Sequence, residues 1–215
     1  MSNKYFIILI NLLLLSSCHF RLPAPEIEEG IRGKQFEIDK NINEKTIDKY
    51  LNRKDVCYRD MRMLKDPANY EAIGGDSYLS GYIKGFEVVP YPFIAPIVDL
   101  PSEVGNGYQG HTLFSYVDSE YIANYDESLS IIEDLFPKDM NIFLMCGGGG
   151  YAFMMKKLLI SLGWDENKIY NIGGYWYYEG NNKIEVKEIN ENNEVIYNFN
   201  KVTYHNIDFY RLTEN

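Results

Sequence analysis

The feature that most constrains the fold of this chain is an apolar run that ends in a cysteine and four glycines. Residues 141–145 read Asn-Ile-Phe-Leu-Met, and Cys146 follows directly, before the glycines at 147–150. A short run of this kind is typical of a strand that is buried on both faces of a parallel sheet. We expect a helix over residues 151–162 and a short strand over residues 168–171. This order of strand, helix and strand predicts a βαβ unit in an α/β fold.

Further elements are expected on either side of this unit. Residues 55–62 and 85–90 have the β-branched and aromatic content of strands. Between residues 119 and 136, apolar side chains recur at helical spacing and a proline follows, which predicts a helix. Beyond residue 180 the pattern alternates and predicts an antiparallel hairpin or meander. The fold class expected is therefore α/β: a parallel sheet flanked by helices, with a C-terminal antiparallel β extension over residues 181–215.

Composition excludes several classes of function. The chain has 215 residues, with 31 acidic and 21 basic side chains and a formal net charge of −10. Such a charge repels a polyanion, so we expect no nucleic-acid partner. Three cysteines and three histidines, without paired spacing, predict neither a disulfide framework nor a metal site. No cofactor is expected.

The N-terminal segment has the layout of a secretory signal. A lysine at position 4 precedes an apolar run that ends in Ser-Ser-Cys18, and the run is too short to span a bilayer as a helix. Leu15-Ser-Ser-Cys18 resembles a bacterial lipobox, in which cleavage before the cysteine leaves a thiol that carries lipid. Two alternatives remain open: an ordinary cleaved signal peptide with an incidental cysteine, and an uncleaved anchor.

The lipobox hypothesis implies a domain organisation and a location. Residues 1–17 would be a lipoprotein signal peptide, and residues 18–44 a tether that contains prolines and an acidic run. A domain over residues 45–180 and the β extension would follow. The mature protein would be attached by lipid on Cys18 to a membrane of the bacterial cell envelope, on its extracytoplasmic side.

Cys146 is the candidate nucleophile. A residue directly after a buried strand lies at the carboxyl edge of the sheet, where open α/β folds place their ligand sites. Glycines allow loop amides to turn inward, and a helix that begins near Tyr151 adds the positive end of its dipole. Both effects favour the thiolate, which is the reactive form. The alternative is that Cys146 is a small apolar core residue and that the glycines only permit a tight turn.

Several motifs, in order along the chain, resemble the rhodanese-like (sulfurtransferase) domain family. They are Asp60-Met-Arg62, Gly81-Tyr-Ile-Lys-Gly-Phe86 followed by Val88-Val-Pro90, the segment from Ile142 to Ala152, and Lys168-Ile-Tyr-Asn-Ile-Gly-Gly174. The resemblance covers about residues 45–180. It implies that Cys146 accepts sulfur as a persulfide and that Asp60 and Arg62 support the loop. The amides that would stabilise the persulfide belong to Gly147, Gly148, Gly149, Gly150, Tyr151 and Ala152.

The resemblance is incomplete at the loop itself. Tyr151 stands where active members commonly have an arginine or lysine, which places thiosulfate as the donor in doubt but leaves a persulfide donor. Residues 63–80 form an insertion that we expect to cover the pocket. The function expected is that of a sulfurtransferase or sulfur carrier that acts between a small sulfur donor and a thiophilic acceptor. The alternative is a non-catalytic rhodanese-like lipoprotein that binds a protein partner or a small anion; a phosphatase is disfavoured by the short loop.

Overall fold

The computed structural model describes residues 21–215. The predicted signal peptide and the predicted lipidation site, Cys18, lie outside these residues. No helix within the described part of the chain is both long and apolar enough to cross a membrane.

The fold is a mixed α/β arrangement around a four-stranded parallel sheet. In spatial order its strands are β3, β1, β6 and β7. The strands, in chain order, are β1 (Val56–Asp60), β2 (Gly81–Ile83), β3 (Glu87–Val88), β4 (Phe114–Val117), β5 (Glu120–Ala123), β6 (Asn141–Cys146), β7 (Ile169–Gly174), β8 (Lys183–Glu185), β9 (Lys187–Ile189) and β10 (Val195–Tyr197). The helices are α1 (Ile31–Phe36), α2 (Tyr91–Ile94), α3 (Ser128–Leu135) and α4 (Gly150–Ser161).

Strand β6 is buried on both faces, as its unbroken apolar sequence predicts. Ile142 and Leu144 point into a cluster formed with α2, α3 and α4. Phe143 and Met145 point to the opposite face, into a second cluster around Ile42. Cys146 follows the period-two alternation of a strand and faces the same side as Leu144, towards α4.

The expected helix over residues 119–136 is wrong in its first half. Residues 114–123 form the antiparallel hairpin of β4 and β5, and α3 begins only at Ser128. Asp118 and Ser119 have φ values of 50° and 69°, the left-handed backbone of a two-residue hairpin turn. The helical spacing of the apolar residues was misleading because Tyr121 and Ala123 also alternate with the exposed Ile122.

The second half of the predicted tether packs against the sheet. Ile38 and Ile42 are fully buried. Ile38 forms a parallel bridge with Asn171 of β7, and the backbone N–H of Asp39 donates to the Asn171 carbonyl at 2.8 Å. Residues 31–44 are therefore structurally continuous with the domain, and α1 lies beside α4.

Small antiparallel sheets complete the chain after β7. Strand β8 pairs with β2, and β9 pairs with β10 in a hairpin. The remaining residues run back along the domain, where Tyr204 forms a parallel bridge with Val88 of β3. The predicted antiparallel character of residues 181–215 is thus present.

Candidate functional site

The site lies where the order of the parallel sheet reverses. The chain leaves β1 to form β3 on one side of it, then returns to form β6 on the other side. Open α/β sheets bind ligands at the carboxyl ends of strands at such a reversal. Here that position holds Asp60 at the end of β1 and Cys146 at the end of β6, with Arg62 two residues beyond β1. The structure thus brings Cys146, which the sequence predicted at this edge, together with Asp60 and Arg62, which the resemblance implied would support the loop.

The glycine loop places a backbone amide within hydrogen-bonding distance of the Cys146 sulfur. Gly149 has a φ of 112°, a backbone conformation that a side chain would strain. Its N–H donates to the Cys146 Sγ at 3.1 Å. The backbone N–H groups of Tyr151 and Ala152, at the start of α4, also lower the pKa of the Cys146 thiol. One of the six predicted loop amides therefore donates a hydrogen bond to the sulfur, and two others favour its thiolate.

Arg32 and Glu44, which no sequence motif marks, hold the outer side of the loop. Arg32 of α1 donates from Nη1 to the Gly148 carbonyl at 3.3 Å and pairs with the buried Glu44. Glu44 in turn accepts a hydrogen bond from the Gly174 N–H at 3.2 Å. No local pattern connects residue 32 with residue 148, because the contact depends on how the N-terminal segment folds back over the sheet.

Asp60 and Arg62 form a buried ion pair beneath the loop. Arg62 donates from Nε at 2.9 Å and from Nη2 at 2.6 Å to the two Asp60 oxygens, and Nη2 also reaches the Gly81 carbonyl at 2.8 Å. The guanidinium stacks on the Tyr175 ring at 4.3 Å. This pair links the end of β1 to β2 and to the segment after β7, so it stabilises the edge of the sheet that carries the site.

The inserted segment and Trp176 cover the loop. A Cβ atom on Gly147 would lie 2.4 Å from Cζ2 of the Trp176 indole, and one on Gly75 would lie 2.4 Å from Cη2 of the same ring. The Tyr70 ring packs against Trp176 with centroids 5.6 Å apart. The indole is thus held between the glycine loop and residues 70–75 of the insertion.

Tyr151 fastens the insertion to the start of α4. Its hydroxyl donates to Asp66 Oδ2 at 2.7 Å and accepts from the Tyr70 hydroxyl at 2.7 Å. Burial raises the pKa of Asp66 above its usual range, and burial also raises the pKa of both tyrosines. Tyr151 therefore anchors residues 66–70 of the cover to the start of α4.

Cys146 is consequently shielded from solvent. The residue is 3% exposed, and burial raises the pKa of its thiol. The amides of Ala152, Gly149 and Tyr151 act in the opposite direction, and the negative charge of Asp60 adds to the increase. The pKa of the Cys146 thiol is raised overall, so the closed site holds a neutral thiol at neutral pH.

Two cavities within residues 21–215 lie away from the glycine loop. One of about 240 Å³ is lined by Glu26, Asp39, Lys156 and Tyr170, beyond the outer edge of β7. Another lies in the loop over residues 97–109. Within residues 21–215, no group of three or more His, Cys, Asp or Glu side chains is arranged to hold a metal ion.

The buried thiol predicts a distinctive alkylation profile. In a Cys57→Ser background, the rate at which iodoacetamide modifies Cys146 is expected to keep rising above about pH 9.5, where an ordinary thiol with a pKa of about 8.5 approaches its plateau. The rate should rise at higher pH than for an ordinary thiol, because a raised pKa lowers the fraction of reactive thiolate at a given pH. Trp176→Ala should increase the rate by removing the cover. Mass spectrometry of the modified peptide gives both rates, and a plateau near pH 7 would contradict this account.

Comparison with protein-family models, with curated proteins and with solved structures finds no match to this chain. The functional assignment therefore depends on the geometry and chemistry of the site.

Proposed function

We propose that the protein is a rhodanese-like sulfurtransferase or sulfur carrier in which Cys146 holds a transferable sulfur atom. The observation that carries the proposal is the hydrogen bond from the Gly149 amide to the Cys146 sulfur at the reversal point of the sheet, where the Tyr151 and Ala152 amides also lower the pKa of the thiol. Amide donors stabilise an anionic sulfur without a charged side chain. That property suits a persulfide and requires no base in the loop.

The reaction conserves atoms and electrons without an external oxidant. Cys146 first loses its proton to solvent, and the thiolate attacks the outer sulfur of a persulfide donor. A new S–S bond forms as the donor S–S bond breaks, and the electron pair leaves with the donor thiolate. A thiophilic acceptor then takes the outer sulfur and regenerates Cys146.

The cover must move for this reaction to occur. Trp176 and Tyr70 close over the loop, and their contacts depend on the insertion that Tyr151 anchors through Asp66. Opening would hydrate the sulfur and remove the main cause of its raised pKa. The proposal thus includes a closed resting state and an open reactive state.

One observation favours the second candidate, a non-catalytic rhodanese-like protein that binds a partner or a small anion. Cys146 is 3% exposed, so the closed structure leaves little of this residue accessible to a donor. In that case the glycine loop and its cover would act only as a rigid binding surface. A pull-down that persists in Cys146→Ser, from a protein without transferase activity, would support this candidate.

The direct test is the intact mass after incubation with a persulfide donor. The wild-type protein is expected to gain one sulfur atom that a reducing agent removes. Cys146→Ser should gain none, and Cys57→Ser should behave like the wild type because Cys57 is buried and the pKa of its thiol is raised to about 11. Failure of the wild-type protein to gain sulfur at any pH up to 9 would reject the transferase proposal.

Attachment to the membrane through Cys18 belongs to the same proposal. The supporting observation is the short apolar run that ends in Leu15-Ser-Ser-Cys18. Cys18→Ala is expected to block processing or to release the protein from the membrane fraction, with Cys57→Ser as the matched control. Fractionation followed by immunoblotting measures the outcome, and an unchanged membrane pool would contradict lipidation.

A further inference from the structure

The inserted segment over residues 63–80 is closed at its base by backbone pairing. Lys65 and Tyr78 form an antiparallel bridge there, and the backbone hydrogen bonds on the two sides of this bridge measure 2.7 and 3.0 Å. The far end of the segment, residues 70–75, contacts Trp176. A contact that holds Tyr78 in place therefore limits how far the segment can move away from Trp176.

The C-terminal β extension contacts this base through three stacked rings. The Tyr78 ring stacks on Tyr197 of β10, with centroids 4.3 Å apart and planes inclined by 11°. Tyr197 stacks in turn on Phe199, at 5.9 Å and 14°. Burial raises the pKa of the Tyr197 hydroxyl, and the charges of Asp76 and Glu71 in the inserted segment add to the increase. Tyr197 is therefore close to the inserted segment and not only to its own hairpin.

Backbone hydrogen bonds attach the same extension to the end of the inserted segment. The Ser80 carbonyl accepts from the Val186 and Lys187 N–H groups, both at 2.8 Å. Val186 is fully buried, and strand β8 pairs with β2, which directly follows the inserted segment. Residues 183–187 therefore form a fixed point from which the hairpin of β9 and β10 reaches Tyr78.

The hairpin of β9 and β10 has few other apolar contacts. Its side chains Ile189, Val195 and Ile196 are exposed, and a two-stranded hairpin alone is only marginally stable in water. The order of the hairpin and the position of the inserted segment therefore depend on the same ring stack. A single aromatic stack is strong enough to favour the closed arrangement and weak enough to separate reversibly.

We propose that the C-terminal β extension is an autoinhibitory latch, in which the Tyr197 ring holds the inserted segment closed over Cys146 through its stack on Tyr78. The inference rests on the proposed function, because it concerns the access of donor and acceptor to the Cys146 sulfur. When the stack separates, the inserted segment moves away from Trp176 and the sulfur becomes accessible. The latch thus sets the fraction of open molecules and takes no part in the chemistry.

Alkylation of Cys146 by iodoacetamide reports the open fraction. In the full-length Cys57→Ser protein at fixed pH, Tyr197→Ala is expected to raise the rate about three- to tenfold, because it removes one ring stack. Tyr197→Phe keeps the ring and should react at the starting rate. Val195→Ala is the matched control, since Val195 is exposed and lies on the same face of β10. Mass spectrometry of the Cys146 peptide measures each rate.

A double-mutant cycle tests whether the stack itself is responsible. Tyr78→Ala removes the same contact from the side of the inserted segment and should raise the rate to a similar extent. The double variant Tyr78→Ala/Tyr197→Ala should react no more than about twofold faster than either single variant, since the contact can be lost only once. Effects that multiply in the double variant, or a Val195→Ala rate that rises as much as that of Tyr197→Ala, overturn the latch.

Hydrogen exchange separates opening of the inserted segment from a general loss of stability. In Tyr197→Ala, amide exchange is expected to accelerate in peptides that cover residues 63–80 and to remain unchanged in β6. Equal acceleration in both places means that the substitution destabilises the whole fold, and it rejects the latch.

The latch and the transferase proposal fail separately. If Tyr197→Ala is alkylated at the starting rate while the wild-type protein gains sulfur from a persulfide donor, the latch is rejected and the transferase proposal stands. If the alkylation rate rises as expected and the wild-type protein gains no sulfur, the latch stands as a control of access to Cys146 and the transferase proposal is rejected.

Discussion

Arg62→Met is expected to lower the free energy of unfolding by about 3–5 kcal/mol, because it leaves the Asp60 carboxylate as an unpaired buried charge. Asp60 is fully buried, and Arg62 is 6% exposed. Methionine keeps much of the side-chain volume, so the loss reports the ion pair more than a cavity. Urea unfolding followed by circular dichroism measures the change.

Two further variants separate the buried pair from ordinary surface charge. Arg211→Met breaks an ion pair with Asp208 in which the arginine is 85% exposed, and it should have no measurable effect. The double variant Asp60→Leu/Arg62→Met is expected to recover part of the lost stability, because it removes both charges. An Arg62→Met variant as stable as Arg211→Met would contradict the role assigned to this pair.

Gly174→Ala is expected to combine a loss of stability with a loss of sulfur loading. A Cβ atom at this position would lie 2.2 Å from the Gly147 carbonyl oxygen and 2.8 Å from the Gly148 Cα. Both neighbours are backbone atoms, so the glycine loop must shift away from β7. Overpacking of this kind costs about 1–3 kcal/mol, and the shift would displace the Gly149 amide from the sulfur. Thermal unfolding and intact mass after exposure to a persulfide donor measure the two effects.

Gly30→Ala provides the matched control for that substitution. No atom lies within 4 Å of the Cβ position of Gly30, and its φ of −60° suits alanine. This variant should retain stability and sulfur loading, since it only reduces the freedom of the unfolded chain. If Gly174→Ala loads sulfur like Gly30→Ala, the loop is less constrained than the structure indicates.

The centre of the site could be predicted from the sequence because its signals are local. An apolar strand, a cysteine and four glycines before a helix specify a strand end and a loop, and the structure has both at 141–150. Asp60 was expected near the loop only from the resemblance of Asp60-Met-Arg62 to a family motif, and the structure places it at the same edge of the sheet as Cys146. The hairpin over residues 114–123 was missed because its apolar spacing is compatible with a strand and with a helix.

The surroundings of the site could not be predicted in the same way. Arg32, Tyr70 and Trp176 reach the loop from three segments that are far apart in sequence. Such contacts arise from tertiary packing, and no periodicity or motif in a single sequence specifies them. Burial of the sulfur, which decides the pKa of the thiol, is therefore a property of the assembled fold.

Both edges of the parallel sheet are contacted by other parts of the same chain. Ile38 forms a bridge with Asn171 of β7 at one edge, and Tyr204 forms a bridge with Val88 of β3 at the other. Exposed strand borders act as templates on which further chains can pair and polymerise. We therefore expect removal of either flanking segment to leave backbone groups of that edge unpaired and able to pair with another chain.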